Sequence, residues 1–179
     1  MHQDIERVLI SEQELAARIA ELGKQVAADY ADKAPIFLGI LKGVVMFFSD
    51  MIRAPPIQCQ IEFMAVSSYG GGTSTSGKVR MLKDVSVDLR GRHVVILEDI
   101  LDSGVTLSHV CAHLREMGPA SLKICTLLDK PSRRQTDVKA DYVGFTIPNE
   151  FVVGYGLDYD EHYRNLPYVG ILKPEVYTK

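Results

Sequence analysis

Two carboxylates, Glu98 and Asp99, directly follow the apolar run 94–97, and a short polar loop comes after them. The apolar run is typical of a strand that is buried on both faces of a sheet. The loop, residues 102–106, reads Asp-Ser-Gly-Val-Thr and leads into a helical pattern over residues 107–117. Because a helix N-terminus offers free backbone N–H groups and a positive dipole end, this loop suits a phosphate.

The loop and the carboxylates together indicate the kind of ligand. Gly104 allows close approach to the backbone, and the hydroxyls of Ser103 and Thr106 add hydrogen-bond donors for the phosphate. Carboxylates repel a phosphate, but they accept hydrogen bonds from hydroxyl groups. A phosphorylated sugar with a free diol satisfies both requirements, so residues 94–107 predict a ligand of this kind.

Composition restricts the class of protein. The chain has 179 residues, of which 46% are hydrophobic and 24% charged, as expected for one globular enzyme domain over residues 1–179. A net charge of −3 without a Lys/Arg block argues against nucleic acid or an anionic membrane as the main partner. Cys59, Cys111 and Cys125 have no metal-site spacing and indicate buried thiols. With no signal-like start and no apolar run of membrane-spanning length, we expect a cytoplasmic protein.

Strand and helix patterns alternate along the chain, which predicts an α/β fold with a parallel sheet between helices. A capping box at residues 11–14 begins a helix that runs towards Tyr30, and residues 44–52 predict a second helix. In residues 57–63, apolar residues alternate with polar ones, which predicts a strand with Glu62 on its solvent side. The other predicted strands are 36–41, 79–87, 122–128, 142–147 and 169–172. Ligands of such sheets bind beyond the carboxyl ends of the strands, here 41–43, 98–106 and 129–130.

Three further patterns resemble known sites, but each lacks a feature that such a site requires. Residues 72–78 nearly match an NTPase phosphate loop, but Val79 replaces the metal-binding Ser/Thr and a strand pattern follows. Residues 154–156 begin like a dinucleotide fingerprint, but no helix pattern follows them. His109 and His113 lie one helical turn apart without a third ligand, which favours a solvated helix face.

Residues 94–107 closely resemble the diphosphate-sugar loop of type I phosphoribosyltransferases, a strand followed by Glu-Asp, two apolar residues and Asp-Ser/Thr-Gly-x-Thr. Residues 41–43, 68–69, 129–130 and 151–164 resemble, in order, the matching segments of the hypoxanthine-guanine branch. The resemblance runs from about residue 36 to the C-terminus. It implies a twisted, mainly parallel sheet flanked by helices, with a small hood formed by residues 148–179 and the N-terminal residues.

The same resemblance implies purine salvage. A 6-oxopurine would displace pyrophosphate from phosphoribosyl pyrophosphate with Mg²⁺, giving IMP or GMP, in a homodimer or homotetramer. The 5′-phosphate would lie in the loop 102–106, and Glu98 and Asp99 would hold the ribose diol directly or through hydrated Mg²⁺. The residues expected to bind phosphoribosyl pyrophosphate are Lys42, Gly43, Ser68, Tyr69, Glu98, Asp99, Asp102, Ser103, Gly104, Val105, Thr106 and Arg164.

Other roles also follow from the resemblance. Lys42 and Gly43 would form the pyrophosphate loop, where the peptide from Leu41 to Lys42 can be cis, with Arg164 as a second cation. Ser68 and Tyr69 would belong to a flexible lid over residues 67–77 that excludes water. Asp102 would be the general base for the purine N–H.

The purine-binding residues expected from the resemblance are Lys130, Phe151, Val152 and Asp158. Lys130 would donate to the 6-oxo group and reject adenine, because an ammonium group has no acceptor for an amino group. Phe151 would stack on the base, and the Val152 backbone would read its edge. The expected metal ligands are Glu98, Asp99 and Asp158, although the neighbouring carboxylates at 160 and 161 leave the second metal's ligand open.

Two other functions fit parts of the pattern. A transferase for xanthine or a pyrimidine would keep the same sugar site, but Lys130 and the segment 151–164 favour a 6-oxopurine. A regulator that senses phosphoribosyl pyrophosphate and binds nucleic acid would also keep the fold. The negative net charge and the lack of a preceding DNA-binding helix pair argue against the regulator.

Overall fold

The computed structural model describes residues 1–68 and 79–178, and two sheets organise this part of the chain. Within it, the larger sheet has six strands in the order β4-β3-β2-β5-β6-β7, and all neighbours are parallel except β3 and β4. The strands are β1 (Ile5–Ile10), β2 (Ile36–Leu41), β3 (Gln60–Ser68), β4 (Val79–Lys83), β5 (His93–Leu101), β6 (Ser121–Asp129), β7 (Tyr142–Thr146), β8 (Val152–Val153) and β9 (Val169–Leu172). The helices are α1 (Glu12–Tyr30), α2 (Val45–Met51), α3 (Val105–Glu116) and α4 (Pro174–Tyr177).

Strand β5 lies near the middle of the large sheet and is buried on both faces. Its residues Val94–Leu97 are each 0% exposed. Val95 and Leu97 pack into the core under α1 and α2, whereas Val94 and Ile96 pack into the core under α3. Because successive side chains of a strand point to opposite faces, an uninterrupted apolar run is needed at this position. The predicted parallel sheet between helices is therefore confirmed.

Helix α1 begins at the capping box expected from the sequence. The backbone N–H of Ser11 donates to Glu14 Oε2 at 2.8 Å, and the backbone N–H of Glu14 donates to Ser11 Oγ at 3.3 Å. These reciprocal bonds satisfy two N–H groups that the first helical turn leaves without partners. The helix then buries an apolar stripe, which includes Leu15, Ile19, Leu22 and Val26, against the sheet.

The smaller sheet joins the two ends of the chain. Strand β9 pairs antiparallel with β1 on one side and with β8 on the other. This pairing places the segment between β8 and β9, residues 154–168, next to the large sheet's carboxyl end, where Gly156 packs against Gly43. The hood elements named from the sequence are thus hydrogen-bonded to one another. No helix within residues 1–68 and 79–178 is long and apolar enough to cross a membrane.

The main corrections concern β3 and β5. The predicted strand 57–63 begins three residues later, and its alternation fails at two positions, since Ile61 is 52% exposed and Glu62 only 7%. Ser67 and Ser68 end this strand and do not begin the predicted loop, whose remaining residues lie outside the described part. Strand β5 continues through Glu98 and Asp99 to Leu101, because β6 pairs with it as far as Asp129.

Glu62 is buried because its carboxylate joins β3 to the chain after β4. It accepts hydrogen bonds from Ser86 Oγ at 2.7 Å, Ser86 N at 2.9 Å, Phe63 N at 2.8 Å and Lys83 Nζ at 3.1 Å. Desolvation raises the pKa of Glu62, but the hydrogen bonds from Ser86, Phe63 and Lys83 outweigh it and lower the pKa to about 2. A sequence pattern could not reveal these partners, since they lie up to 24 residues away.

Glu62→Gln is expected to lower the free energy of unfolding at pH 7 by about 1–3 kcal/mol, because hydrogen bonds to a charged acceptor are lost. A carboxyl group with a depressed folded pKa stabilises the fold above its unfolded pKa of about 4.5. This contribution disappears as the pH falls towards 2. Urea unfolding at several pH values should therefore show a difference in free energy of unfolding between the wild type and Glu62→Gln that shrinks below about pH 5. Glu6→Gln, on an exposed strand position, is the control, and a pH-independent difference for Glu62→Gln would contradict the argument.

Candidate active site

A cavity of about 510 Å³ lies at the carboxyl ends of β2, β3 and β5. It is lined by two of the three strand-end segments expected there, 41–43 and 98–106 but not 129–130, and by two residues of the segment between β8 and β9. The lining residues with polar side chains or glycine are Lys42, Gly43, Ser67, Glu98, Asp99, Asp102, Ser103, Gly104, Thr106, Asp158 and Arg164. Ten of the residues proposed from the sequence are therefore brought together here. Tyr69 lies outside the described residues.

The phosphate loop, residues 102–106, leads from β5 into α3 as expected. Gly104 is the N-cap of α3 with φ of 79°, a left-handed conformation that favours glycine. A Cβ at this position would also lie 2.4 Å from Thr136 Oγ1. The first-turn N–H groups of α3 have no intrahelical acceptors, so the loop presents backbone donors beside Ser103 and Thr106 in the cavity wall. This arrangement is suited to an anion.

Arg134 supports the phosphate loop from behind and was missed in the sequence. Its guanidinium donates to the backbone oxygens of Asp102 at 3.0 Å and Leu101 at 3.3 Å. It also donates to Val138 O at 2.6 Å and pairs with Asp129 at the end of β6. A partly buried Arg that holds two strand ends together has no signature in residue spacing, because its acceptors are mostly backbone carbonyls.

Glu98 and Asp99 form an acidic pair at the floor of the cavity. The Oε2 atom of Glu98 is buried without a hydrogen-bond partner among the described residues, and Asp99 Oδ1 accepts from Ile100 N at 2.8 Å. Desolvation, followed by the charge of Asp99, raises the pKa of Glu98 well above its usual value. Desolvation also raises the pKa of Asp99 to about 6. Hydroxyl donors or a cation would compensate both carboxylates.

A metal fits this acidic pair only with help from a ligand. Within residues 1–68 and 79–178, no group of three or more His, Cys, Asp or Glu side chains is arranged to hold a metal ion. Mg²⁺ is commonly bound by one or two carboxylates together with substrate oxygens and water. The partnerless Oε2 of Glu98 is consistent with such a site. Asp158 also lines the cavity, whereas Asp160 and Glu161 are not among its lining residues.

Gly43 is enclosed by the acidic pair and by the chain that follows β8. A Cβ at Gly43 would lie 1.8 Å from Asp99 Oδ2, and a Cβ at Gly156 would lie 1.9 Å from Gly43 O. The peptide bond from Leu41 to Lys42 is cis, as the resemblance allowed. Glycine is therefore required at both positions by close packing.

Gly43→Ala is expected to raise the KM for phosphoribosyl pyrophosphate about 10-fold or more, because the methyl group must displace Asp99 from its position. It should also cost about 1–3 kcal/mol of stability through overpacking. Steady-state kinetics and urea unfolding would measure both effects. Gly91→Ala is the matched control, because a Cβ there meets no atom within 4 Å. The backbone of Gly91 has a φ of 70°, which is strained for alanine. This variant should lose stability and keep its KM; an unchanged KM in Gly43→Ala would contradict the packing argument.

The cations and acids above the cavity form an ion-pair cluster. Lys42 Nζ lies 3.2 Å from Glu161 Oε2, and Arg164 Nη2 lies 3.4 Å from Glu161 Oε1. Arg164 Nη1 lies 2.9 Å from Asp158 Oδ1 and donates to Gly156 O at 2.8 Å. Asp158 and Arg164 therefore form an ion pair, and both residues line the cavity.

Of the residues proposed for the purine, Asp158 lines the cavity, whereas Lys130, Phe151 and Val152 are not among its lining residues. Lys130 is 7% exposed, and its Nζ donates to Glu150 O at 2.9 Å. Desolvation lowers the pKa of Lys130, and the negative charge of Asp102 partly opposes this change. Phe151 is 37% exposed and stacks on Tyr177 with ring centroids 4.7 Å apart, while Val152 is buried and pairs with Ile171.

Asp102 connects the phosphate loop to this neighbourhood. Its Oδ1 atom is buried without a hydrogen-bond partner in the described part of the chain, and Arg133 Nε lies 3.5 Å from it. Its backbone oxygen is held by Arg134. The side chain is thus oriented but retains an acceptor for a ligand proton.

The structure describes two of the three patterns that resemble known sites without matching them, the histidine pair and the glycine pair. His113 Nε2 lies 2.8 Å from Asp84 Oδ2 on the surface of α3, and His109 is exposed. Gly154 and Gly156 have φ of 97° and 101° in a turn, not at the start of a helix. Residues 72–78 lie outside the described part.

Comparisons with known proteins agree with this geometry. A model of the phosphoribosyl transferase domain matches residues 9–160. The hypoxanthine-guanine phosphoribosyltransferase of Bacillus subtilis is 51% identical over 177 residues, covering 99% of this chain and 98% of that protein. A crystal structure of a hypoxanthine phosphoribosyltransferase from Staphylococcus aureus is 50% identical with a TM-score of 0.97, covering 100% of this chain and 97% of that one.

One group of relatives is longer. The bifunctional protein TilS/HprT of Listeria monocytogenes is 50% identical over 179 residues, which are 100% of this chain but 28% of that protein. The chain therefore matches a segment of the bifunctional relative and nearly the whole of the Bacillus subtilis relative.

Proposed function

Because the chain belongs to the phosphoribosyltransferase family, we propose that it transfers the 5-phosphoribosyl group from phosphoribosyl pyrophosphate to hypoxanthine and guanine. The products are IMP or GMP and pyrophosphate, which makes the enzyme a glycosyltransferase of purine salvage. The observation that carries this proposal is one cavity that combines an anion loop, an acidic pair and two cations.

The parts of phosphoribosyl pyrophosphate correspond to different walls of the cavity. The 5′-phosphate is proposed to bind the phosphate loop, where the N–H groups of α3 and the hydroxyls of Ser103 and Thr106 donate to it. Glu98 and Asp99 accept from the ribose diol or hold Mg²⁺ there. The pyrophosphate group lies near Lys42, the Gly43 backbone and Arg164. These assignments are supported by the position of each residue in the cavity wall.

Mg²⁺ is proposed as the cofactor, with Glu98 and Asp99 for one ion and Asp158 for a second. When bound, it neutralises negative charge on the leaving pyrophosphate. Raised pKa values of Glu98 and Asp99 support this assignment, because a cation would favour their ionised forms. Lys42 and Arg164 add positive charge on the same side of the cavity.

The purine is proposed to lie beyond the cavity's edge, between Asp102 and Lys130. Lys130 donates to the 6-oxo group, Phe151 stacks on the ring, and the Val152 backbone reads the edge. Asp102 accepts the ring N–H proton of the purine as the purine nitrogen attacks the anomeric carbon and pyrophosphate leaves. The partnerless Oδ1 of Asp102 in the described part of the chain, together with the effect of the Asp102 charge on Lys130, supports their placement around one ligand.

The test supplies phosphoribosyl pyrophosphate, Mg²⁺ and, in turn, hypoxanthine, guanine, xanthine, adenine and uracil, with nucleotide formation as the readout. Formation of IMP and GMP is the expected result. Turnover of only adenine or uracil would overturn the 6-oxopurine assignment. Absence of turnover with every base, together with tight binding of RNA or DNA, would favour a regulator of the same fold.

We also propose a homodimer or homotetramer, as the family resemblance implies, and a cytoplasmic location. Val45 and Met46 on α2 are exposed apolar side chains that a second copy could cover. Light scattering of the purified protein would establish the number of copies.

A further inference from the structure

Glu161 contacts both cations that are proposed to bind pyrophosphate. One carboxylate oxygen lies 3.2 Å from Lys42 Nζ, and the other lies 3.4 Å from Arg164 Nη2. Lys42 is 119 residues away from Glu161 in the chain and follows β2, whereas Arg164 lies three residues after Glu161. A single exposed carboxylate therefore connects the large sheet to the segment between β8 and β9 over the cavity.

The backbone around Glu161 holds this carboxylate in place. Tyr159 and His162 exchange two backbone hydrogen bonds of 3.2 Å and 3.0 Å, which close a tight turn. Within it, Asp160 and Glu161 have φ of 50° and 62°, a region that L-residues other than glycine seldom adopt. The Glu161 N–H also donates to Asp158 Oδ2 at 2.9 Å. The turn thus fixes the origin of the side chain beside the two cations.

A carboxylate and a pyrophosphate group make the same demand on Lys42 and Arg164. Both groups are anionic acceptors, and Arg binds carboxylates and phosphates with the same donor geometry. Pyrophosphate carries several negative charges, so it is repelled by a carboxylate that stays in place. Binding of pyrophosphate must therefore break the contacts of Glu161, and its departure allows them to form again.

We infer that Glu161 competes with pyrophosphate for Lys42 and Arg164 and so sets how tightly the enzyme holds this product. This inference rests on the proposed function. Glu161 acts through the two cations and is a specificity-determining residue, not a catalytic one. The contact limits affinity for the product and for the pyrophosphate end of the substrate, and it favours product release.

The variant Glu161→Gln keeps the size of the side chain and removes its charge. Two exposed ion pairs of ordinary strength correspond to about a 2- to 20-fold change in affinity. The inhibition constant of Mg²⁺-pyrophosphate against phosphoribosyl pyrophosphate should fall by this factor in Glu161→Gln. The KM for hypoxanthine should stay the same, because within the described part of the chain the Glu161 side chain contacts Lys42 and Arg164 and forms no hydrogen bond or ion pair with Lys130. The factor should also shrink at high salt, which screens exposed charges.

Asp160→Asn is the matched control. It removes the same charge from the adjacent exposed residue, which takes part in no ion pair of the described residues. A Lys42→Met background gives a second control, because the effect of Glu161→Gln should be smaller once one cation is absent. Equal effects of Glu161→Gln and Asp160→Asn, or weaker pyrophosphate inhibition in Glu161→Gln, would overturn the inference.

Calorimetric titration of Mg²⁺-pyrophosphate into the wild-type and variant proteins separates this inference from the proposed function. If the wild type turned over no base, the proposed function would fail, but the titration would still report competition at the two cations. If the wild type made IMP and both variants bound pyrophosphate equally, only the competition would be excluded.

Discussion

Asp102→Asn is expected to lower kcat for IMP formation by about 10²- to 10⁴-fold, the usual contribution of a positioned general base. Asparagine has nearly the same shape and keeps the backbone oxygen that Arg134 holds at 3.0 Å. It cannot take up the purine ring proton. The phosphate loop should keep its shape, so the affinity for phosphoribosyl pyrophosphate should change little.

Pre-steady-state turnover measures this effect on the chemical step, free of product release. Equilibrium titration of phosphoribosyl pyrophosphate measures binding separately. Asp137→Asn, which removes an exposed carboxylate from the segment after Arg134, is the control and should keep both constants. An unchanged rate of the chemical step in Asp102→Asn would remove Asp102 as the base.

Lys130→Met is expected to raise the KM for hypoxanthine about 10- to 100-fold, because a hydrogen bond from a charged group to the 6-oxo oxygen is worth about 1.5–3 kcal/mol. Methionine fills the space of the buried Lys130 stem without its charge. The KM for phosphoribosyl pyrophosphate should change by about twofold or less, since Lys130 is outside the cavity lining. Discrimination against adenine should also weaken.

Steady-state kinetics with both substrates varied would show this selectivity. Lys139→Met, at an exposed position of the following loop, controls for the loss of a positive charge. Thermal unfolding of Lys130→Met would show whether the lost bond to Glu150 O affects the fold. An equal rise in both KM values would contradict a role for Lys130 in reading the purine.

Much of the fold could be predicted because its signals are local. The capping box at Ser11, the apolar run of β2 and the double-sided burial of β5 each depend on residues close in the chain. Strand β3 was misjudged for the opposite reason. Its alternation predicts that Glu62 lies in solvent, but Lys83 at the end of β4 and Ser86 just beyond it donate hydrogen bonds to the carboxylate in the interior.

The phosphate loop and the acidic pair could be predicted from the sequence alone. Both lie within residues 94–107, where a strand end, a glycine and a helix start follow one another. The preference for a phosphate and a diol could therefore be inferred from neighbouring residues. The sequence also placed Lys42, Asp158 and Arg164 as candidates for one site through resemblance.

Contacts between residues that are distant in the chain follow from the tertiary fold. Pairing of β9 with β1 and β8 brings the segment 154–168 over the end of β2, so Glu161 reaches Lys42 and Gly156 packs on Gly43. Arg134 likewise contacts Leu101 and Asp102 across more than 30 residues. Such contacts depend on sheet order and side-chain reach, because residues far apart in the chain become neighbours only after the strands have paired.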